Sequence, residues 1–144
     1  MRLWHYQIIP YLPRQQLLSQ WRECIRIAKS VYDKGTPNHI LVNKIMDYPI
    51  SEFDDYCNIV LVEMVKRGYN VSESSINKLE DYVGFEVDSD KQYKHPFPWW
   101  HTPRYLDQCM SNLEEKFDCG GVSQEEWDEL CAGYGKITGV RWDM

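Results

Sequence analysis

Between Pro13 and Gly35 the apolar residues recur at intervals of three and four: Leu17, Trp21, Cys24, Ala28, Val31 and Tyr32. That spacing lays them along one side of an α-helix, and no stretch of the chain offers the two-residue alternation of a half-buried strand. Pro13 predicts the start of this helix, because the first helical position leaves an N–H unpaired in any case. Gly35, followed by Thr36 and Pro37, predicts its end. On the rest of its surface Arg22, Arg26 and Lys29 share a face at i, i+4 and i+7, with Glu23 about 100° round from Arg22.

The remaining segments read the same way. A short helix is predicted from Asn38 to Ile45. Ser51 reads as the N-cap of the next, with Glu52 to Asp55 crowding the first turn, where the macrodipole favours anions. That helix runs through Tyr56, Ile59, Val60 and Met64 to Lys66 and Arg67, and Gly68 closes it. Residues 74–82 predict another, ending at Gly84. Residues 85–101 predict an ordered loop, stiffened by Pro96, Pro98 and the aromatic run Phe97, Trp99 and Trp100. A helix then runs from Thr102 to Phe117 with Pro103 in its first position, its inner side being Tyr105, Leu106, Cys109, Met110 and Leu113. Ser123 and Glu126 make a capping box for a last helix ending near Gly133. The expectation is an all-α compact domain of five or six helices spanning 1–144, its N-terminal segment packed on the first long helix.

Composition excludes several classes. The chain of 144 residues is 43% hydrophobic and 26% charged, which marks a folded rather than a disordered polymer. No apolar run approaches the roughly 18 residues of a bilayer span. Arg2, His5 and Gln7 interrupt any secretory core at the N-terminus, so the reading is cytoplasmic, with no membrane partner. Five cysteines (Cys24, Cys57, Cys109, Cys119, Cys131) without a CxxC pair predict free thiols on helix faces, not a disulfide framework or a four-ligand zinc site. His5, His39, His95 and His101 have no recognised ligand spacing, so neither a metal site nor a cofactor is expected. Net charge is −6. It is unevenly spread: residues 1–70 hold nine basic and seven acidic residues, and residues 71–144 hold seven and fifteen. A polyanion would therefore meet the N-terminal side.

Three islands share a pattern. The opening Met1-Arg2-Leu3-Trp4 with Gln15, Leu17, Arg22, Glu23 and Arg26, the segment from Met64 through Lys66-Arg67-Gly68 to Asn70, and the tail Gly133-Tyr134-Gly135-Lys136 together resemble the endonuclease V type of pyrimidine-dimer DNA glycosylase. Ser111 to Phe117 is similar to that family's later helix. The resemblance implies that an N-terminal α-amine attacks the sugar C1′ beside a damaged base. A glutamate on the first helix assists, and a Schiff base leads to strand cleavage by β-elimination. Carried over, Glu23 is the acid/base, and Arg2, Arg22, Arg26 and Lys136 contact duplex DNA. In the family a small second residue allows the initiator methionine to be removed. Here the large Arg2 keeps it, so the amine is that of Met1, and one residue of offset is absorbed before Gln15.

The chemistry suits those groups. An α-amine titrates near 7.7–8.0 against about 10.4 for lysine, so roughly a quarter to a third is neutral near pH 7.4, the form that attacks. A neighbouring carboxylate can then move protons. A base inside a duplex is out of reach, so an extruded nucleotide needs stacking surfaces, for which Trp99, Trp100 and Tyr134 are candidates. Each residue also has a plainer role: Glu23 in a helix ion pair with Arg22 or Arg26, the basic row as a solvated face, and the tryptophans as core caps. The alternative function is a non-catalytic helical binding module of the same fold with a protein or small-molecule partner. A third option is the same chemistry on another nucleoside substrate.

Overall fold

A computed structural model describes residues 2–34, 40–85 and 95–142. Among them are a 3-10 turn, Tyr6–Tyr11, and six α-helices: α1 Arg14–Lys34, α2 Ile40–Met46, α3 Ile50–Lys66, α4 Glu73–Val83, α5 Pro103–Asp118 and α6 Gln124–Thr138. No strand occurs among the described residues, so the all-α expectation holds. The predicted end of the first helix at Gly35, the start of the second at Asn38, and His39 lie outside the described residues.

Local chemistry explains most helix starts. Thr102 accepts the Tyr105 N–H and Pro103 occupies the first position of α5. Ser123 and Glu126 close the capping box of α6. The Glu126 carboxylate also accepts the N–H of Arg14 at 3.0 Å, so one side chain serves the first turns of two helices. Ser72 caps α4, and Gly84 ends it in the left-handed conformation.

α1 packs on α4, α3 and α2, while α6 packs on α5 and the 3-10 turn. Leu17, Trp21, Cys24, Ile27 and Ala28 are buried between them, together with Phe53, Tyr56, Cys57 and Val60 of α3 and Leu106, Cys109, Met110 and Leu113 of α5. The loop before α5 contributes Phe97, fully buried and at φ +56°, a left-handed backbone that bulky residues rarely adopt. Its N–H donates to Glu52 at 3.0 Å and its carbonyl accepts from Trp100 and His101, which holds the turn.

Three local expectations are corrected. Ser51 is not the cap of α3: the helix begins at Ile50 behind Pro49, whose fixed φ suits a helix entrance, and it has no side-chain cap. Tyr32 does not face the core; it is 63% exposed and lies against Tyr82 at 5.5 Å. Gly133 does not end α6, which continues to Thr138 and stops at Gly139. Gly133 is instead the contact with the ring of Tyr11, where an added Cβ would lie 2.3 Å from ring atoms.

Candidate active site

The first described residues lie against the bundle, held by side chains that hydrogen-bond to their backbone. The Trp4 N–H donates to Gln20 Oε1 of α1 at 2.8 Å. The Tyr56 hydroxyl of α3 donates to the Trp4 carbonyl at 2.6 Å and lies 3.2 Å from the same Gln20 oxygen. The Tyr105 hydroxyl of α5 donates to the Leu3 carbonyl at 2.7 Å, and the Tyr6 N–H donates to His101 Nδ1 at 3.1 Å. Leu3 and Trp4 are buried as well. Three helices and the loop before α5 thus fix one short length of chain. Met1 lies outside the described residues.

A cleft of about 410 Å3 opens beside this segment, lined by Arg2, Trp4, Gln15, Gln16, Ser19, Gln20, Glu23, Asn112 and Lys116. Gln16, Gln20 and Glu23 stand at i, i+4 and i+7, so α1 presents them as one row. Glu23 is 20% exposed in its side chain, and its Oε1 pairs with Arg26 Nη1 at 3.2 Å. Its other oxygen is buried without a partner among the described residues, as are Gln16 Oε1 and Gln20 Nε2. Buried polar atoms are ordinarily satisfied, so three orphans on one wall mark a surface suited to a polar ligand. Among the described lining residues Arg2 and Lys116 are cations and Glu23 is an anion.

Of the residues singled out in the sequence, the cleft brings together Arg2 and Glu23, with Trp4 and Gln15 beside them. Arg22 is exposed and donates to Ser19 Oγ at 3.3 Å, which places it at the rim; Arg26 is 72% exposed beyond Glu23. Lys136 is exposed in the last turn of α6 and does not line the cleft. Neither do the aromatic candidates. Trp100 is buried beside Phe97, His101 and Tyr105, with Lys44 Nζ 5.5 Å above its ring. Tyr134 is buried and donates to Asp107 at 2.6 Å. Trp99 is 82% exposed, stacked on Tyr48 at 5.7 Å. Gln16, Gln20, Asn112 and Lys116 were not anticipated from the sequence. The first two could have been found from their helical spacing to Glu23.

His5, within the pinned segment, stacks on His101 at 5.2 Å. Burial, against opposing backbone hydrogen bonds, pushes His5 down to about 4; burial, with repulsion from His5, His95 and Lys44, pushes His101 down to about 2. Because His101 Nδ1 accepts from Tyr6, its ring proton sits on Nε2, which is buried without a partner among the described residues, and both rings are held neutral. An unfolded histidine binds a proton near pH 6.5, which the folded protein refuses. Stability is therefore full above about pH 6.5 and is lost as pH falls toward 4 and below. The melting temperature should drop steadily over that interval. In His101→Asn, whose amide oxygen can still accept from Tyr6, the slope should be shallower. An equal slope in the variant would exclude His101 as its source.

Among the described residues no helix is long and apolar enough to cross a membrane. A family model described as pyrimidine dimer DNA glycosylase matches residues 1–77. No curated protein and no solved structure matches the chain.

Proposed function

Since this chain belongs to the pyrimidine dimer DNA glycosylase family, we propose that its cleft carries out base excision and strand cleavage through the α-amine of Met1, with Glu23 as acid/base. The observation that carries the reading is that Arg2 and the partnerless oxygen of Glu23 belong to one open cleft, beside a chain segment pinned at Leu3 and Trp4.

The neutral amine adds to C1′, and the glycosidic bond breaks with its electron pair leaving on the base, which takes a proton. The nitrogen loses a proton, and its lone pair opens the C1′–O4′ bond, whose electron pair leaves on O4′ and takes up a proton; the product is a protonated imine. Glu23 then removes a proton from C2′, and that C–H electron pair expels the 3′ phosphate. Arg22, Arg26 and Lys116 offer charge to backbone phosphates, and Arg2 joins them within the cleft. Asn112 and Lys116 lie beyond the part matched by the family model. This supports reading 1–144 as one glycosylase domain whose second half completes the site. Trp100 and Tyr134 take core roles in this reading, which leaves Trp99 as the exposed ring. Duplex DNA carrying a pyrimidine dimer is the substrate.

Sodium borohydride added during reaction with a lesion-bearing or abasic duplex should reduce the imine and leave a covalent protein–DNA adduct. Binding should weaken steeply with salt, as phosphate contacts require. Absence of any adduct on either duplex would overturn the catalytic reading in favour of the binding module.

A further inference from the structure

We propose that Tyr56, Tyr105 and Gln20 are positioning residues that hold the terminal amine at the reacting carbon; this rests on the catalytic reading of the cleft given above. Their targets are consecutive backbone groups. The Tyr105 hydroxyl takes the Leu3 carbonyl at 2.7 Å, Gln20 takes the Trp4 N–H at 2.8 Å, and the Tyr56 hydroxyl takes the Trp4 carbonyl at 2.6 Å. The three donors and acceptors come from α5, α1 and α3, so the segment is triangulated rather than tethered at one point.

Covalent geometry converts this into a constraint on the amine. Three residues of chain span at most about 11 Å, so a nitrogen carried ahead of Arg2 cannot stray beyond that radius from the pinned Leu3 carbonyl. Arg2, the residue between, is itself a wall of the cleft. Gln20 joins the two halves of the arrangement. It is buried, stands one turn before Glu23 in the same row, and holds the segment with one end of its amide while its other end is unpartnered. The acid and the pinned segment are thus referred to the same stretch of α1.

A nucleophile needs this more than a binding group does. A displacement of about 1 Å in a reacting atom costs up to 100-fold in rate, while binding contacts elsewhere are untouched. Removing a tyrosine hydroxyl that secures the segment should therefore lower the rate of imine formation without weakening the complex.

The test uses Tyr56→Phe, Tyr105→Phe and, as a control, Ser75→Ala, which removes the hydroxyl accepting from Trp21 Nε1 at 3.1 Å on the α4 side of α1. Single-turnover borohydride trapping is measured on an abasic duplex at saturating protein, alongside affinity and melting temperature. Each tyrosine variant should trap roughly tenfold more slowly with affinity within twofold of the parent, while Ser75→Ala traps at the parent rate. Parental trapping rates in both tyrosine variants would overturn the proposal. So would a loss confined to affinity, or an equal slowing in Ser75→Ala. A parent that forms no adduct would instead defeat the catalytic reading, a result distinct from all of these.

Discussion

Glu23→Gln should reduce strand cleavage at a lesion by at least about a thousandfold while leaving affinity for the same duplex within a few-fold of the parent. General acid–base catalysis by one side chain contributes about 100- to 10,000-fold, and here one group serves more than one proton transfer. The amide keeps the size of the carboxylate and can still fill the row after Gln16 and Gln20. What it lacks is a basic oxygen in place of the buried, partnerless Oε2. The ion pair that is also lost, to the largely exposed Arg26, is of the kind worth a few tenths of a kcal/mol, so folding is not the cause of the effect. The check is single-turnover cleavage with a parallel melting curve. Cleavage within tenfold of the parent would remove Glu23 from the chemistry.

The largest effect on stability should come from Gly133→Ala. On an exposed helix this exchange is favourable, since alanine is the better helix former by about 1 kcal/mol. Here the new Cβ falls 2.3 Å from Tyr11 ring atoms, a distance no packed structure holds, so α6 or the 3-10 turn has to move. Overpacking of this kind costs about 1–3 kcal/mol or more, and at this chain length about 3 kcal/mol corresponds to a fall of roughly 10 °C in melting temperature. A paired Gly133→Ala, Tyr11→Ala variant tests the cause: relief of the clash should recover part of the loss, though the aromatic packing is gone. A melting point at or above the parent's in the single variant would show that the contact is not tight.

How far the sequence disclosed this protein depended on how local each signal is. Thr102-Pro103 and the Ser123–Glu126 box act within one turn, and the structure has α5 and α6 starting at them. Pro49 prevailed over Ser51 because a fixed φ ahead of a helix matters as much as a capping hydroxyl. Gly133 looked like a stop signal because glycine breaks helices in isolation. Its meaning came from Tyr11, more than a hundred residues away in the chain. The same distance effect governs the cleft. Arg2 and Glu23 were readable from the order of residues near the start, but Asn112 and Lys116 reach the same space only through the packing of the bundle. Tyr134 and Trp100 illustrate the converse, since aromatic residues near a suspected site turned out to be core.

The bonds that secure residues 3 to 6 all end on main-chain atoms. Mutational drift in that opening stretch is therefore constrained by amide availability as well as by the packing of Trp4 and the Tyr6 ring: an exchange that keeps the ring would leave the docking intact, whereas proline at position 4 or 6 would delete the hydrogen that Gln20 or His101 requires. Comparative surveys of such chains should find prolines excluded from these two places even where everything around them varies.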